Sequence, residues 1–250
     1  MATNDIRKFN RFELKYLLDY DFAQEVMKRI TDYMVPDSHG NNQGVYFLSS
    51  LYYDTDDFRF FWEKIEGEKF RRKLRVRIYE DNKTLNSKSK AFVEIKQRLN
   101  KVTQKRRIIV PYGDALKFCN DYESIKVDPE DQPVAEEMLD MLVKGQLKPQ
   151  CITSYQRQAF NGTEKDPGLR VTFDTNLRYR RNNLDLADKQ IGPFMLPPNR
   201  CIMEVKVNDR IPYWLTEFAA DANFQLVRIS KYCTGLQQAE AVPQIEHIFQ

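Results

Sequence analysis

The sequence predicts an α+β fold, a closed antiparallel β-barrel with helices packed outside, and three observations carry that expectation. Stretches of strand length alternate apolar and charged residues at period two. Most of them follow one another through short, turn-rich connections, as hairpins do. Their charged positions recur on roughly eight strands, and an open sheet would leave that whole face in solvent, whereas closure gathers it into a polar lumen.

Taken in order, Phe9 to Leu17 is the first strand, with Phe12, Leu14 and Tyr16 opposing Arg11, Glu13 and Lys15. Asp21 to Met34 carries Phe22, Val26, Met27, Ile30 and Met34 at helical spacing, and Pro36 and His39-Gly40 close it. Gly44 to Asp54 is aromatic and β-branched, a strand by composition. Asp56 to Ile65 is a short helix capped by Thr55 or Asp56. Arg71 to Glu80 and Ala91 to Arg98 are the two most cationic strands, separated by a polar loop, Asp81 to Lys90. In the first, Leu74, Val76 and Ile78 alternate with Lys73, Arg75 and Arg77; in the second, Val93 and Ile95 oppose Glu94, Lys96 and Arg98. Three like charges in a row on one strand face raise the cost of folding unless a polyanion neutralises them.

Thr103 to Val110 follows through the tight Asn100-Lys101 turn and should pair with the preceding strand. Tyr112 to Tyr122 and Glu130 to Leu147 are helices, Pro133 being tolerated in a first turn. Gln150 to Phe160 and Leu169 to Asn176 are strands joined by the Asn161–Gly168 hairpin loop. Asn182 to Asn199 is an excursion, Cys201 to Val207 the last strand, and Pro212 to Ala222 and Lys231 to Val242 the closing helices.

Composition bounds the function. The 250 residues suffice for one sizeable domain, 1–250, and show no linker that would force two. Charged residues make up 30% of the chain while the net charge is only +3, so any basic site is local and balanced elsewhere. A whole-surface nucleic-acid binder would be more basic. Four scattered cysteines without a CxxC pair, and only two histidines, exclude a Cys/His zinc site and suit a reducing cytoplasm. No stretch is apolar enough to span a bilayer, and the first residues lack an apolar signal region. A homo-oligomer is compatible with all of this.

The chemistry lies on the alternating faces. Their cations are Lys15, Arg75, Arg77, Lys96, Lys105, Arg157, Arg170 and Lys206; their acids are Glu13, Glu94, Asp174 and Glu204. Glu13-Leu-Lys15, Glu94-Ile-Lys96 and Glu204-Val-Lys206 repeat one device, a carboxylate and an ammonium two residues apart and so on one face. One such pair alone signifies little, since exposed sheet faces carry many. Three, beside Arg75-Val-Arg77, suit a site holding a divalent cation together with phosphate oxygens. Hard oxygen ligands favour Mg2+ or Mn2+ at Glu13, Glu94 and Glu204, and arginine forks grip phosphate.

With Leu74-Arg-Val-Arg77, Tyr155-Gln-Arg157, Arg170-Val-Thr-Phe-Asp174 and Ser230-Lys231 added, the series resembles the VTC domain. That domain is the polyphosphate polymerase of the vacuolar transporter chaperone complex, within the triphosphate tunnel metalloenzyme (CYTH-like) superfamily. The resemblance runs in order from about Phe9 to about Thr234. It implies a tunnel of antiparallel strands and transfer of the γ-phosphoryl of ATP onto inorganic polyphosphate. Arg75, Arg77, Lys96, Lys105, Arg157 and Arg170 would line the tunnel, with Tyr155 and Lys206 among the phosphate contacts and Arg107 also facing inward. Lys15, Lys231, Ser230 and Arg157 would act at the transferred phosphate, and Glu204 would bind the metal. A free-standing form is expected, without the inositol-phosphate-sensing helical domain or membrane segments of the eukaryotic complex. A tunnel-type triphosphatase, with water as nucleophile, stays open as an alternative. So does a non-catalytic polyphosphate or RNA binder, although pure anion binding gives no reason for acids among the cations.

Overall fold

A computed structural model describes residues 8–80, 84–100 and 102–244. Among them are nine strands and six α-helices, in an α+β arrangement with a large antiparallel sheet. The chain divides into two compact units. One comprises Ser49–Thr153 and Arg180–Gln190 with the opening residues to Asn10; the other comprises Arg11–Leu48, Ser154–Tyr179 and Ile191–Gln250.

In the first unit β4 (Phe70–Glu80), β5 (Lys90–Leu99) and β6 (Val102–Pro111) form an antiparallel meander. Its register sets Arg75 opposite Glu94, Glu94 opposite Arg107, and Lys96 between Lys73 and Lys105. The alternate residues Leu74, Val76, Val93, Ile95, Ile108 and Val110 are buried with Ala115 and Phe118 of α3 (Tyr112–Asn120) and Val134, Met138 and Leu142 of α4 (Gln132–Gly145). Period-two patterning thus assigns one face to a helix-covered core and hands the other to charge. Arg180 pins the loop that follows it, donating to the carbonyls of Asp185, Asp188 and Gln190 at 2.5, 3.4 and 3.0 Å.

In the second unit β9 (Arg200–Val207) lies between β1 (Lys8–Asp19) and β8 (Arg170–Arg180), antiparallel to both, and β8 also pairs with β7 (Lys148–Gly162). Lys15 and Thr172 flank Glu204 on either side, and Glu13 and Arg170 flank Lys206. The opposite face (Tyr16, Val171, Phe173, Met203 and Val205) is buried against Val26, Met27 and Ile30 of α1 (Tyr20–Ile30) and Leu215 of α5 (Tyr213–Asp221). The last helix, α6 (Lys231–Gln238), is buried from Lys231 through Gln237.

The first two helices differ from the sequence expectation. The first helix ends at Ile30 and not Met34, because Met34–Pro36 leave it to form β2, a strand paired with Phe160–Gly162. Pro36 disfavours helical backbone at Val35 and so turns the segment toward an extended form. The second helix, α2 (Arg59–Ile65), begins three residues later than expected, since Phe58 sits at φ 59° and interrupts the helical turn. Its orphan donors are met from β3 (Val45–Asp54) and the residue after it: the Asp54 carboxylate accepts from Phe60 N and Phe61 N, and Thr55 Oγ1 from Arg59 N. Asp56, the other expected cap, instead pairs with Lys148. The expected Asp81–Lys90 loop lies partly outside the described residues, as does Lys101 of the tight turn.

Candidate functional site

The second unit concentrates seven charged side chains on one sheet face. Glu204 is at its centre. Its Oε1 lies 2.8 Å from Lys231 Nζ and 3.5 Å from Lys15 Nζ; its Oε2 lies 2.6 Å from Lys206 Nζ and 3.5 Å from Arg157 Nη2. Asp174, wholly buried, takes both arms of the Arg157 fork at 2.6 and 2.7 Å and Lys231 Nζ at 2.6 Å. Glu13 accepts from Lys15 at 3.2 Å, and Lys15 also donates to the Ile229 carbonyl at 3.0 Å. Each side chain arrives by the period-two rule from β1, β7, β8 or β9, except Lys231, which enters at the first turn of α6. The Tyr155 ring lies beneath two of the cations, 5.3 Å from the Arg157 guanidinium and 4.8 Å from Lys231 Nζ.

Burial alone would strip charge from such a cluster; mutual attraction prevents it. Burial pushes the Glu204 carboxyl up, but Lys206, Lys231, Lys15 and Arg157 outweigh it and hold the group well below the usual carboxylate range. Asp174 is likewise held down, Arg157 and Lys231 overcoming its burial. Lys231 is raised, since Asp174 and Glu204 outweigh the desolvation that would lower it. Lys206 goes the other way: burial, aided by nearby Arg157, pulls it down to about 7, and Glu204 at 2.6 Å offsets only part of the fall.

The first unit builds a second, smaller constellation around Glu94, which is fully buried. Arg75 donates to its Oε2 through Nε and Nη2 at 2.8 and 2.7 Å, Lys105 to its Oε1 at 3.1 Å, and Arg77 Nη1 stands 3.9 Å away. Arg75 also reaches the Tyr52 hydroxyl at 3.0 Å, and Arg77 the Ser50 hydroxyl at 3.0 Å. Burial and the neighbouring cations pull Lys105 down to about 8, although Glu94 pulls the other way. Burial would raise the Tyr52 phenol, yet Arg75 and Arg77 bring it down to about 8. A phenol so placed is part of the polar face.

Of the residues singled out from sequence, Lys15, Arg157, Glu204, Lys206, Lys231, Glu13 and Tyr155 come together in the second unit, and Arg75, Arg77, Glu94 and Lys105 in the first. Lys96 continues the first unit's cationic row, flanked in register by Lys73 and Lys105. Arg170 is engaged apart from the Glu204 cluster, by Asn161 at 2.9 Å, the Tyr46 hydroxyl at 3.0 Å and the Asp37 carboxylate, which also takes His39. Ser230 is the N-cap of α6, its hydroxyl accepting from Cys233 N at 3.4 Å. Tyr52, Ser50 and Asp37 were not anticipated. The alternation Ser50, Tyr52 against Leu51, Tyr53 was the available signal, but polar uncharged residues on an aromatic strand are too common to read.

Among the described residues no group of three or more His, Cys, Asp or Glu is placed to hold a metal ion. The donor chemistry of Glu204 and Glu13 nonetheless suits one, because Mg2+ takes only one or two carboxylates and completes its shell with water and phosphate oxygens. Cations stand around Glu94 in the same way, Arg75, Arg77 and Lys105 surrounding its carboxylate as Lys15, Arg157, Lys206 and Lys231 surround that of Glu204.

Comparison with known proteins gives the family. The family profile of the VTC domain matches residues 10–240. The Trypanosoma brucei brucei protein named vacuolar transporter chaperone complex subunit 4 is 26% identical over 271 residues, covering 91% of this chain and 34% of that protein. The chain therefore spans about a third of that curated relative's length. Among solved structures, a Bacillus halodurans protein provisionally named an adenylate cyclase matches with TM-score 0.53 and 15% identity, covering 93% of this chain and 98% of that one. At that identity the likeness shows the fold alone.

Proposed function

The chain belongs to the VTC domain family, and from that premise we propose that it is a polyphosphate polymerase. It would transfer the γ-phosphoryl group of ATP to the terminal oxygen of a polyphosphate chain, the bond to the β-phosphate oxygen breaking and ADP leaving. The observation that carries this reading is Glu204 in the grip of Lys15, Arg157, Lys206 and Lys231. Four cations converging on one carboxylate can hold phosphate oxygens equally well, and the acid among them gives a place for Mn2+ or Mg2+.

Phosphoryl transfer asks of a protein mainly positioning and charge neutralisation. Lys15 and Lys231 would hold the transferred group, Arg157 would steady it with its planar fork, and Lys206 would add charge as phosphate displaces the Glu204 carboxylate. Arg75, Arg77, Lys96, Lys105 and Arg170 would hold the remaining phosphates, with Glu94 as the buried counter-charge that orients the first unit's cations. A divalent cation bound at Glu204 and Glu13 would neutralise charge on the phosphates. A phosphate acceptor brings its own anionic oxygen, so no general base is needed. We further propose that the strands close into a tunnel and that residues 1–250 form one domain; the family match, which takes in both compact units, supports this. The four buried, unbridged cysteines support placement in the cytoplasm, and no helix among the described residues is long and apolar enough to cross a membrane.

The test incubates the protein with ATP and Mn2+ and follows ADP, free phosphate and polyphosphate length together. Chain growth matching ADP, lost in Glu204→Ala, is the expected result. Free phosphate rising with ADP and no chains would make the site a triphosphatase. Tight polyphosphate binding without turnover would leave only a binding module.

A further inference from the structure

The cationic face of the first unit carries two aromatic rings toward one end. Along β4 the residues sharing that face run Arg75, Arg77, Tyr79, and along β5 they run Lys96, Glu94, Phe92, Lys90, with Phe92 directly opposite Arg77. Tyr79 and Phe92 meet edge to face, ring centroids 5.2 Å apart at 78°. Two cations lie against the Phe92 ring, the Arg107 guanidinium at 4.9 Å and Lys90 Nζ at 5.2 Å. Phe92 is nearly buried, whereas Tyr79 keeps 36% of its surface in solvent. Phe92 therefore belongs to the core, and Tyr79 is the exposed member of the pair.

A phosphate chain has no use for an aromatic surface at the end of its track. A nucleobase does: stacking on an exposed ring, helped by arginine, is the general way proteins hold bases without reading their edges. The two residues from Arg77 to Tyr79 advance roughly 7 Å along the strand, a gap that a sugar can bridge between a phosphate and a base. We propose that Tyr79, backed by the buried Phe92 ring, is the stacking platform for the base of a nucleoside triphosphate whose sugar-proximal phosphates lie on Arg75, Arg77 and Lys105. The inference rests on the phosphate-binding reading above and adds to it which end of the face takes the nucleoside. Stacking gives affinity with little discrimination among bases, so ATP and GTP should bind alike.

The experiment measures binding of ATP and of tripolyphosphate to the wild type, Tyr79→Ala and Tyr79→Phe by calorimetry without added metal. The platform requires that Tyr79→Ala weaken ATP about tenfold, as loss of one stacked base does, while tripolyphosphate affinity stays within about twofold. Tyr79→Phe keeps the ring and should restore ATP binding. Equal loss for both ligands, or no loss for either, would overturn the platform while leaving phosphate binding intact. Absence of tripolyphosphate binding to the wild type would overturn the phosphate-binding reading and the platform with it.

Discussion

Asp174 shows how one buried acid can set the position of two cations. It holds the Arg157 fork and the Lys231 ammonium at once, so both cations depend on it for position. Removing one partner of a buried ion pair leaves the other uncompensated, at a cost of about 3–5 kcal/mol. Asp174→Asn is therefore expected to lower the urea midpoint sharply with the slope unchanged; a midpoint equal to wild type would show that Arg157 and Lys231 do not need it. The pH dependence divides by residue. Glu94, Asp174 and Glu204 are held low, so their contribution is complete above the unfolded values of about 4 and disappears as pH falls through the folded ones. Lys231, raised, contributes fully below its ordinary value of 10.5 and loses that contribution as pH climbs past its folded value. Lys206, lowered to about 7, acts oppositely: the unfolded chain binds its proton more tightly, so this residue's share of stability grows between pH 7 and 10.5. An arriving polyanion favours the charged forms of Lys206 and Lys105. Tripolyphosphate binding near pH 8 is thus expected to take up protons, making the measured heat depend on the buffer's ionisation enthalpy. Lys206→Met should diminish that dependence, and a buffer-independent heat in the wild type would count against it.

Among the elements, α6 is the most informative, because its eight residues are too few to be stable alone. It persists through burial from Lys231 to Gln237 and through its cap. Ser230 was expected beside the transferred phosphate, and its position is a cap whose hydroxyl accepts from Cys233 N. Ser230→Ala should cost about 0.5–2 kcal/mol of stability, read as a lower thermal midpoint. If Ser230 also contacts phosphate, tripolyphosphate affinity will fall as well; if it is a cap only, affinity measured well below the midpoint will hold. At α2 the same logic explains why the start lay three residues beyond the expected one. Asp54, before the turn, shares the capping with Thr55, and the sequence does not show which of Asp54, Thr55 and Asp56 will serve.

For the molecule as a whole, a net charge of +3 conceals two local concentrations of cations, each tied to buried carboxylates of its own, Glu94 in one and Glu204 with Asp174 in the other. Such sites are stable when empty because the acids neutralise them, and they remain attractive to polyanions because cations outnumber acids. A ligand that binds only the folded form stabilises it by about 2.7 kcal/mol at a hundred times its dissociation constant. Tripolyphosphate should therefore raise the thermal midpoint, and added salt should erode the rise by screening. A midpoint indifferent to tripolyphosphate at low salt would contradict anion binding at either constellation.

The alternation of charged and apolar residues on β1, β4, β5 and β9 was enough to assign which face of each strand is core, because side chains on a strand have no third direction to take. The same parity grouped Glu13 with Lys15 and Glu204 with Lys206 and made the family resemblance readable. It could not say which partners each charge would meet. That Asp174 binds Arg157 and Lys231 together, that Arg170 is held by Asp37, Tyr46 and Asn161, and that Tyr79 meets Phe92 all depend on strand register and on where α6 enters. Those are settled by contacts between residues far apart in the chain, and period two carries no information about them.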